Sequence, residues 1–318
     1  AEKMENLELL SQFKEHLEVL NRSPATVNSY GKPVLHYLQD NKDADIKKIT
    51  RKDMETYISG YYKKGIKITT ISSYISGLKR FFEFLEEINL ILINPMELVR
   101  NPSLKNKVLR NIFTPEEGQL ILSQPNLKKP LGIRDRAIME VMYSTGIRSN
   151  EVKNLTFRDV SRGEKTLRIS LGKGARDRVV PIGVHALKAL QRYSLARSYL
   201  ADMNPLNLSN GCKWLFLNRC GQQIGNHVIG DMVRKYVESS GIKKNITPHS
   251  FRYTFATQLV KNGANLVAVQ EMLGHAKLDS TCRYLHSLGL KIKKIHQETH
   301  PREEDEDEDV ICQIERIR

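Results

Sequence analysis

Apolar residues return three and four positions apart four times over residues 1–93, and the pattern stops at Asn94-Pro95. That periodicity is the mark of amphipathic helices, because 3.6 residues per turn put such positions on one face. Leu10, Phe13, Leu17 and Leu20 form the first stripe. A second helix is expected to start at Ser23-Pro24, a cap residue followed by a proline whose fixed φ suits the first turn. Met54, Tyr57, Ile58 and Tyr61 follow Thr50, and Ile71, Tyr74, Ile75, Leu78, Phe81, Phe82 and Leu85 make the fourth stripe. Four such faces can bury one another, so residues 1–93 predict a small helical bundle.

Residues 94–111 read as a linker. Asn94-Pro95 and Asn101-Pro102 interrupt any helix, and Lys105, Lys107 and Arg110 make the stretch basic. It serves equally as a plain connector or as a strap along a polyanion. A second domain is expected over 112–300, opening at Thr114-Pro115-Glu116-Glu117 with a capping box and a proline in the first turn. Leu167, Ile169 and Leu171 alternate with polar residues, Gly172-Lys173-Gly174 turns the chain, and Val179-Val180-Pro181-Ile182 returns. This predicts a β-hairpin in an otherwise helical domain. Val228, Ile229, Met232, Val233, Tyr236 and Val237 stripe one helix, Thr247-Pro248 starts another that runs to Gly263, and short helices are expected near 265–273 and 279–288. The fold class is therefore mainly α with a small β-hairpin or sheet, in two domains.

The 318 residues carry a formal net charge of +14. Residues 301–318 hold only three arginines against eight acids, so the net positive charge comes from the first 300 residues. A body that basic points to a polyanionic partner, nucleic acid first. Residues 301–318 form an acidic tail whose run Glu303 to Asp309 repels itself and suits a disordered segment; the other reading makes it a gate that competes for the basic surface. No apolar run approaches the roughly 18–20 residues of a membrane span. Glu2, Glu5 and Glu8 do not fit a secretory signal, so a cytoplasmic protein with no membrane partner is expected. Cys212, Cys220, Cys282 and Cys312 form no CxxC pair, and no metal or other cofactor is expected.

Three clusters carry candidate chemistry. In Pro248-His249-Ser250-Phe251-Arg252 the i and i+3 positions share a helix face, so His249 and Arg252 can address one target. An arginine fork grips two phosphate oxygens while an imidazole moves a proton. In Thr145-Gly146-Ile147-Arg148-Ser149-Asn150-Glu151 the glycine ends one helix and Arg148 starts the next, with Glu151 placed to orient its guanidinium or simply to pair with it. In Leu273-Gly274-His275, followed by Tyr284 and His286, the glycine ends a helix and leaves His275 at a turn. Each cluster alone is common.

Together, in this order, the stretches STGIRSNEV, LGKGARDRVVP, TPHSFRYTFATQL and LGHAKLDSTCRYLH resemble the tyrosine recombinase family, which includes Xer recombinases and phage-type integrases. They span most of the chain from about 140 to 286, and the helical first domain resembles the family's core-binding domain. The resemblance implies that Arg148, Lys173, His249, Arg252 and His275 are catalytic, that Tyr284 is the nucleophile, and that Glu151 supports the first arginine. Lys79, Arg80, Lys105, Lys107, Arg176 and Arg178 are the candidate DNA-backbone contacts. Tyr253 stands where relatives often have histidine, and the tail extends past the family's usual last helix.

The implied activity is site-specific recombination. DNA is cut and rejoined through a 3′-phosphotyrosyl ester without a metal, with strands exchanged between two duplexes by a tetramer bound at a specific recombination site. Residues 288–295 are a candidate for a helix passed to a neighbouring protomer. A type IB topoisomerase-like enzyme is the alternative, with the same nucleophile and no partner exchange. Chromosome resolution and the integration, excision or transposition of a mobile element both stay open. The chain has no room for an additional N-terminal arm-binding domain, so an Xer-like or mobile-element enzyme is expected.

Overall fold

The four stripes become helices α1 (Glu2–Val19), α2 (Pro24–Asp40), α3 (Arg51–Lys63) and α4 (Ile68–Glu87) in a computed structural model that describes residues 2–42, 44–102, 111–170, 177–204 and 212–274. They build the first of two units, Ala1–Val108; the second is Leu109–Arg318. Ser23 caps α2 by accepting from the Thr26 backbone N–H, and Thr50 with Asp53 forms a reciprocal capping box on α3. Phe13, Leu17, Met54, Ile71, Ile75, Leu78, Phe81, Phe82 and Leu85 are buried together as the core of this unit.

Two expectations shift here. Leu20 is not part of the first buried stripe: α1 stops at Val19, Asn21 takes a left-handed φ of 54°, and Leu20 is exposed on the turn. The start of the basic stretch after residue 93 is folded rather than free. Asn94 accepts from the Met96 N–H at 2.9 Å, and Met96 and Val99 are buried in the first unit's core.

Helices α2 and α4 meet at Gly77. A Cβ there would fall 2.6 Å from the Pro33 ring and 3.0 Å from the Tyr30 carbonyl oxygen. Gly77→Ala is therefore expected to destabilise the protein by about 1–3 kcal/mol through overpacking, outweighing the roughly 1 kcal/mol that alanine gains over glycine inside a helix. Denaturant unfolding of the full chain checks this, and an increase in stability would contradict the close approach.

The second unit is organised around one helix buried on all sides. It contains α5 (Pro115–Ser123), α6 (Pro130–Thr145), α7 (Ser149–Asn154), strands β1 (Val160–Ser161), β2 (Thr166–Ile169) and β3 (Arg178–Pro181), then α8 (Val184–Ala201), α9 (Asn226–Ser239), α10 (Pro248–Lys261) and α11 (Leu266–Leu273). Ala137, Ile138, Met139, Val141 and Met142 of α6 are all buried, with α8 and α10 packed against that helix. A buried polar knot ties it further. Arg134 donates to Asp135 and to the Leu217 carbonyl oxygen, and the Tyr236 hydroxyl of α9 donates to Asp135 at 2.9 Å.

The expected hairpin is β2–β3, and β1 adds a third antiparallel strand that no alternation announced. Leu167 faces Val180 and Ile169 faces Arg178, so those four side chains share the inner face of the sheet. The turn at Gly172-Lys173-Gly174, the helix expected near 279–288, the segment 288–295 and the acidic tail lie outside the described residues. No helix among the described residues is long and apolar enough to cross a membrane.

Candidate active site

The second unit brings three helix ends and one strand together. Helix α6 ends at Gly146, whose φ of 62° lies in the left-handed region, and the chain enters α7 two residues later. Gly146 must lack a side chain for a second reason: a Cβ would lie 2.4 Å from the Phe255 ring of α10. That closeness puts α10 against the turn that carries Arg148.

Arg252, on the inner side of α10, is only 3% exposed. Its Nη1 donates to the Gly146 carbonyl oxygen at 2.8 Å, and its Nη2 donates to the Leu273 carbonyl oxygen at the end of α11. The guanidinium is thus held from both sides by backbone oxygens. Through Gly146 it is fixed within two residues of Arg148. His249 lies one turn earlier on the same helix, exposed, with its ring 6.4 Å from that of Tyr253. The pair therefore straddles the edge of the buried face of α10, with Arg252 buried and His249 exposed. The physical reason is that α10 packs on α6, which buries the Phe251–Arg252 side of the first turn.

Arg148 is the N-cap residue of α7, with 37% of its side chain exposed. Glu151, one turn on and 5% exposed, accepts from the Arg148 backbone N–H at 2.7 Å and from its Nη1 at 3.0 Å. The carboxylate therefore both caps the helix and orients the guanidinium, which makes more than a surface pair of the Glu151 contact.

Arg178 has a different place from the expected phosphate contact. Only 9% of its side chain is exposed. Its Nη1 and Nη2 reach the two Glu151 oxygens at 3.0 and 2.9 Å, and its Nε donates to the Met272 carbonyl oxygen at 2.8 Å. Burial pushes the Glu151 carboxyl up. The hydrogen bonds and charges of Arg178 and Arg148 outweigh it and hold the group below the ordinary glutamate value.

A signal for Arg178 was present in the sequence. Val180 belongs to the buried side of β3, and period-two alternation puts Arg178 on that same side. An arginine facing a core requires acceptors for its guanidinium, an acid or backbone carbonyls.

Gly274, the last described residue before His275, has φ 62°. A Cβ on it would fall 2.9 Å from Arg178 Nη1 and 3.1 Å from Arg178 Cδ. The two arginines thus grip successive carbonyls of α11 immediately ahead of that glycine. His275, Tyr284, Lys173, Arg176, Lys105 and Lys107 lie outside the described residues. Lys79 and Arg80 lie on α4 of the first unit, and Arg80 pairs with Glu83 at 2.7 Å in an exposed contact. No group of three or more histidine, cysteine, aspartate or glutamate side chains is placed to hold a metal among the described residues.

Residues 111–289 match the phage integrase family, and residues 10–88 match the phage integrase N-terminal SAM-like domain. A tyrosine recombinase XerC of Pelotomaculum thermopropionicum is 33% identical over 307 residues, which is 92% of this chain and 98% of that protein. The crystal structure of XerA recombinase covers 93% of this chain and 99% of its own at 26% identity and a TM-score of 0.51. XerH recombinase, solved bound to its difH substrate in a pre-cleavage complex, covers 91% of this chain and 84% of its own at 22% identity and a TM-score of 0.68. At that identity the likeness to XerH concerns the fold.

Proposed function

The chain belongs to the phage integrase family of tyrosine recombinases, and from that premise we propose that Tyr284 cuts one DNA strand and carries it as a 3′-phosphotyrosyl ester. Its activity is site-specific recombination and its partner is DNA. The observation that carries the division of labour is the tie of Arg252 to the Gly146 carbonyl, which sets a buried guanidinium beside the turn of Arg148. Two fixed cations there stabilise a phosphodiester whose non-bridging oxygens gain charge in the transition state. They do so without reorganising when the charge develops.

In this scheme the Tyr284 hydroxyl oxygen attacks phosphorus and gives its proton to His249. The bond from phosphorus to the 5′-oxygen breaks, and Lys173 protonates the leaving oxygen. His275 donates a hydrogen bond to the phosphate. The ester conserves the bond energy, so a free 5′-hydroxyl from a second duplex attacks it, expels the tyrosine and completes the exchange. Exchange requires two duplexes in one assembly, which a tetramer with a helix from 288–295 seated on each neighbour supplies. Lys79, Arg80, Lys105, Lys107 and Arg176 hold the DNA backbone.

A pool of nicked trap duplexes of randomised sequence, incubated with the protein in excess chelator, tests the reading. A covalent adduct at a 3′-phosphate is expected, and sequencing the trapped DNA yields both the site and the cut position. Failure to form any adduct would overturn the assignment. Relaxation of supercoiled DNA with no joining between two labelled duplexes would favour the topoisomerase-like alternative. Affinity for the trapped site should fall steeply with salt, by about 0.9 log unit per log unit of salt for each phosphate neutralised. A flat response would contradict the backbone contacts.

A further inference from the structure

We propose that Arg178 is a positioning residue for strand cleavage, one side chain that locks the β3 end of the hairpin, the carboxylate behind Arg148 and the carbonyl end of α11 into a single body. The proposal rests on the assignment of Arg148, His275 and Tyr284 above and adds a residue that the sequence motif alone placed on the DNA backbone.

Glu151 accepts four hydrogen bonds, two from Arg148 and two from Arg178. A carboxylate has about four lone-pair sites, so these fill it. One negative charge is therefore divided between two guanidiniums. Arg148 keeps part of its positive charge uncompensated and has 37% of its side chain exposed, whereas Arg178 is 9% exposed. If Arg178 were removed, Glu151 would close on Arg148 alone. The exposed cation would then be turned toward its own support and would stabilise less well the charge that develops on the phosphate in the transition state.

The third contact gives Arg178 its reach. Its Nε on the Met272 carbonyl oxygen places a cation at the C-terminal end of α11, where the helix dipole favours it. The next carbonyl, that of Leu273, accepts from Arg252. Gly274 fits against the Arg178 side chain with no space for a Cβ, and His275 follows. Arg178 is also the first residue of β3, directly after Asp177 and five residues past Lys173 in the chain. The starting points of two catalytic groups and the charge of a third thus depend on this guanidinium. To contact DNA, Arg178 would have to abandon both oxygens of the buried Glu151 carboxylate and the Met272 carbonyl oxygen.

The test is single-turnover cleavage of a nicked trap duplex by Arg178→Gln, Arg178→Lys, Glu151→Gln and the Arg178→Gln/Glu151→Gln double variant, each assayed below its own melting temperature. Duplex affinity is expected to stay within about twofold of wild type with an unchanged salt slope, while adduct formation by Arg178→Gln falls roughly 10²–10³-fold, the range for losing one preorganised electrostatic contact. Lysine should recover little of this loss, because an ammonium cannot span both Glu151 oxygens and the Met272 carbonyl. The double variant should be no slower than the slower single variant, as for residues that act as one unit.

Three outcomes overturn the proposal. The first is wild-type cleavage by Arg178→Gln. The second is a loss confined to affinity with a salt slope about 0.9 smaller, which marks a phosphate contact. The third is additive losses in the double variant. If Arg178→Gln does not fold, Arg178→Lys alone still decides, since it keeps the charge and loses the geometry. Tyr284→Phe run in parallel separates the two readings: an adduct from that variant sinks the nucleophile assignment, whereas wild-type cleavage by Arg178→Gln with Tyr284→Phe inert sinks only this one.

Discussion

Replacing Tyr284 by phenylalanine is expected to abolish the covalent protein–DNA adduct while leaving the affinity for duplex DNA unchanged. The substitution removes one oxygen and keeps the ring, so whatever the ring packs against is preserved. Without that oxygen nothing can take the 3′-phosphate, and the reaction stops before the first bond breaks. Removal of a covalent nucleophile costs on the order of 10⁶-fold in rate in enzymes that depend on one, far below what a gel assay of the trapped adduct detects. Ser280, Thr281 and Cys282 stand within four residues of Tyr284. An adduct that survives in Tyr284→Phe would direct the search for the nucleophile to them. Equal affinity of the variant and the wild type, measured at one fixed salt concentration, is the control that makes the loss a chemical one.

The second large effect is expected at Arg252, where stability and catalysis fall together. Arg252→Ala removes a fixed cation, and loss of one preorganised transition-state donor slows cleavage by roughly 10²–10³-fold. It also strands two carbonyl oxygens, of Gly146 and Leu273, that the guanidinium satisfies. A buried polar group left unpaired costs about 1–3 kcal/mol, so a lowered melting temperature is expected as well. Arg252→Lys separates the two effects. It keeps the charge, but a single ammonium cannot face both carbonyls in the plane that the guanidinium occupies. Cleavage by the lysine variant should remain well below wild type at a temperature where both proteins are folded. Wild-type cleavage by either variant at equal DNA occupancy would remove Arg252 from the clamp. A melting temperature unchanged in Arg252→Ala would argue against the carbonyl contacts.

Arg252 and Arg178 also show where sequence reasoning reached its limit. Thr247-Pro248 located the start of α10 and Thr114-Pro115 that of α5, because a cap side chain and a proline act on their own first turn. The glycines at 146 and 274 were read as helix ends, and both have left-handed φ values. The i and i+3 spacing of His249 and Arg252 was legible too. The spacing could not reveal that Arg252 would be buried and His249 exposed, since that depends on α6 lying under α10. For Arg178 the motif suggested a surface cation. The strand phase pointed inward instead, and the structure supplies its acceptors in Glu151 and the Met272 carbonyl.

What the sequence determined by itself was local: helix starts and stops, the hairpin, and the order of the groups that carry the chemistry. These follow from capping, backbone preference and hydrophobic period, all of which act within a few residues. Tertiary structure alone decided which arginine is left facing outward. Arg178 meets the Met272 carbonyl across 94 residues and Arg252 meets that of Gly146 across 106. A backbone oxygen has the same chemistry at every position, so no residue type marks it as the acceptor. Only the packing of α6, α10, α11 and β3 brings those oxygens within hydrogen-bond reach, and that packing holds Arg252 and Arg178 inside while Arg148 keeps its exposed edge.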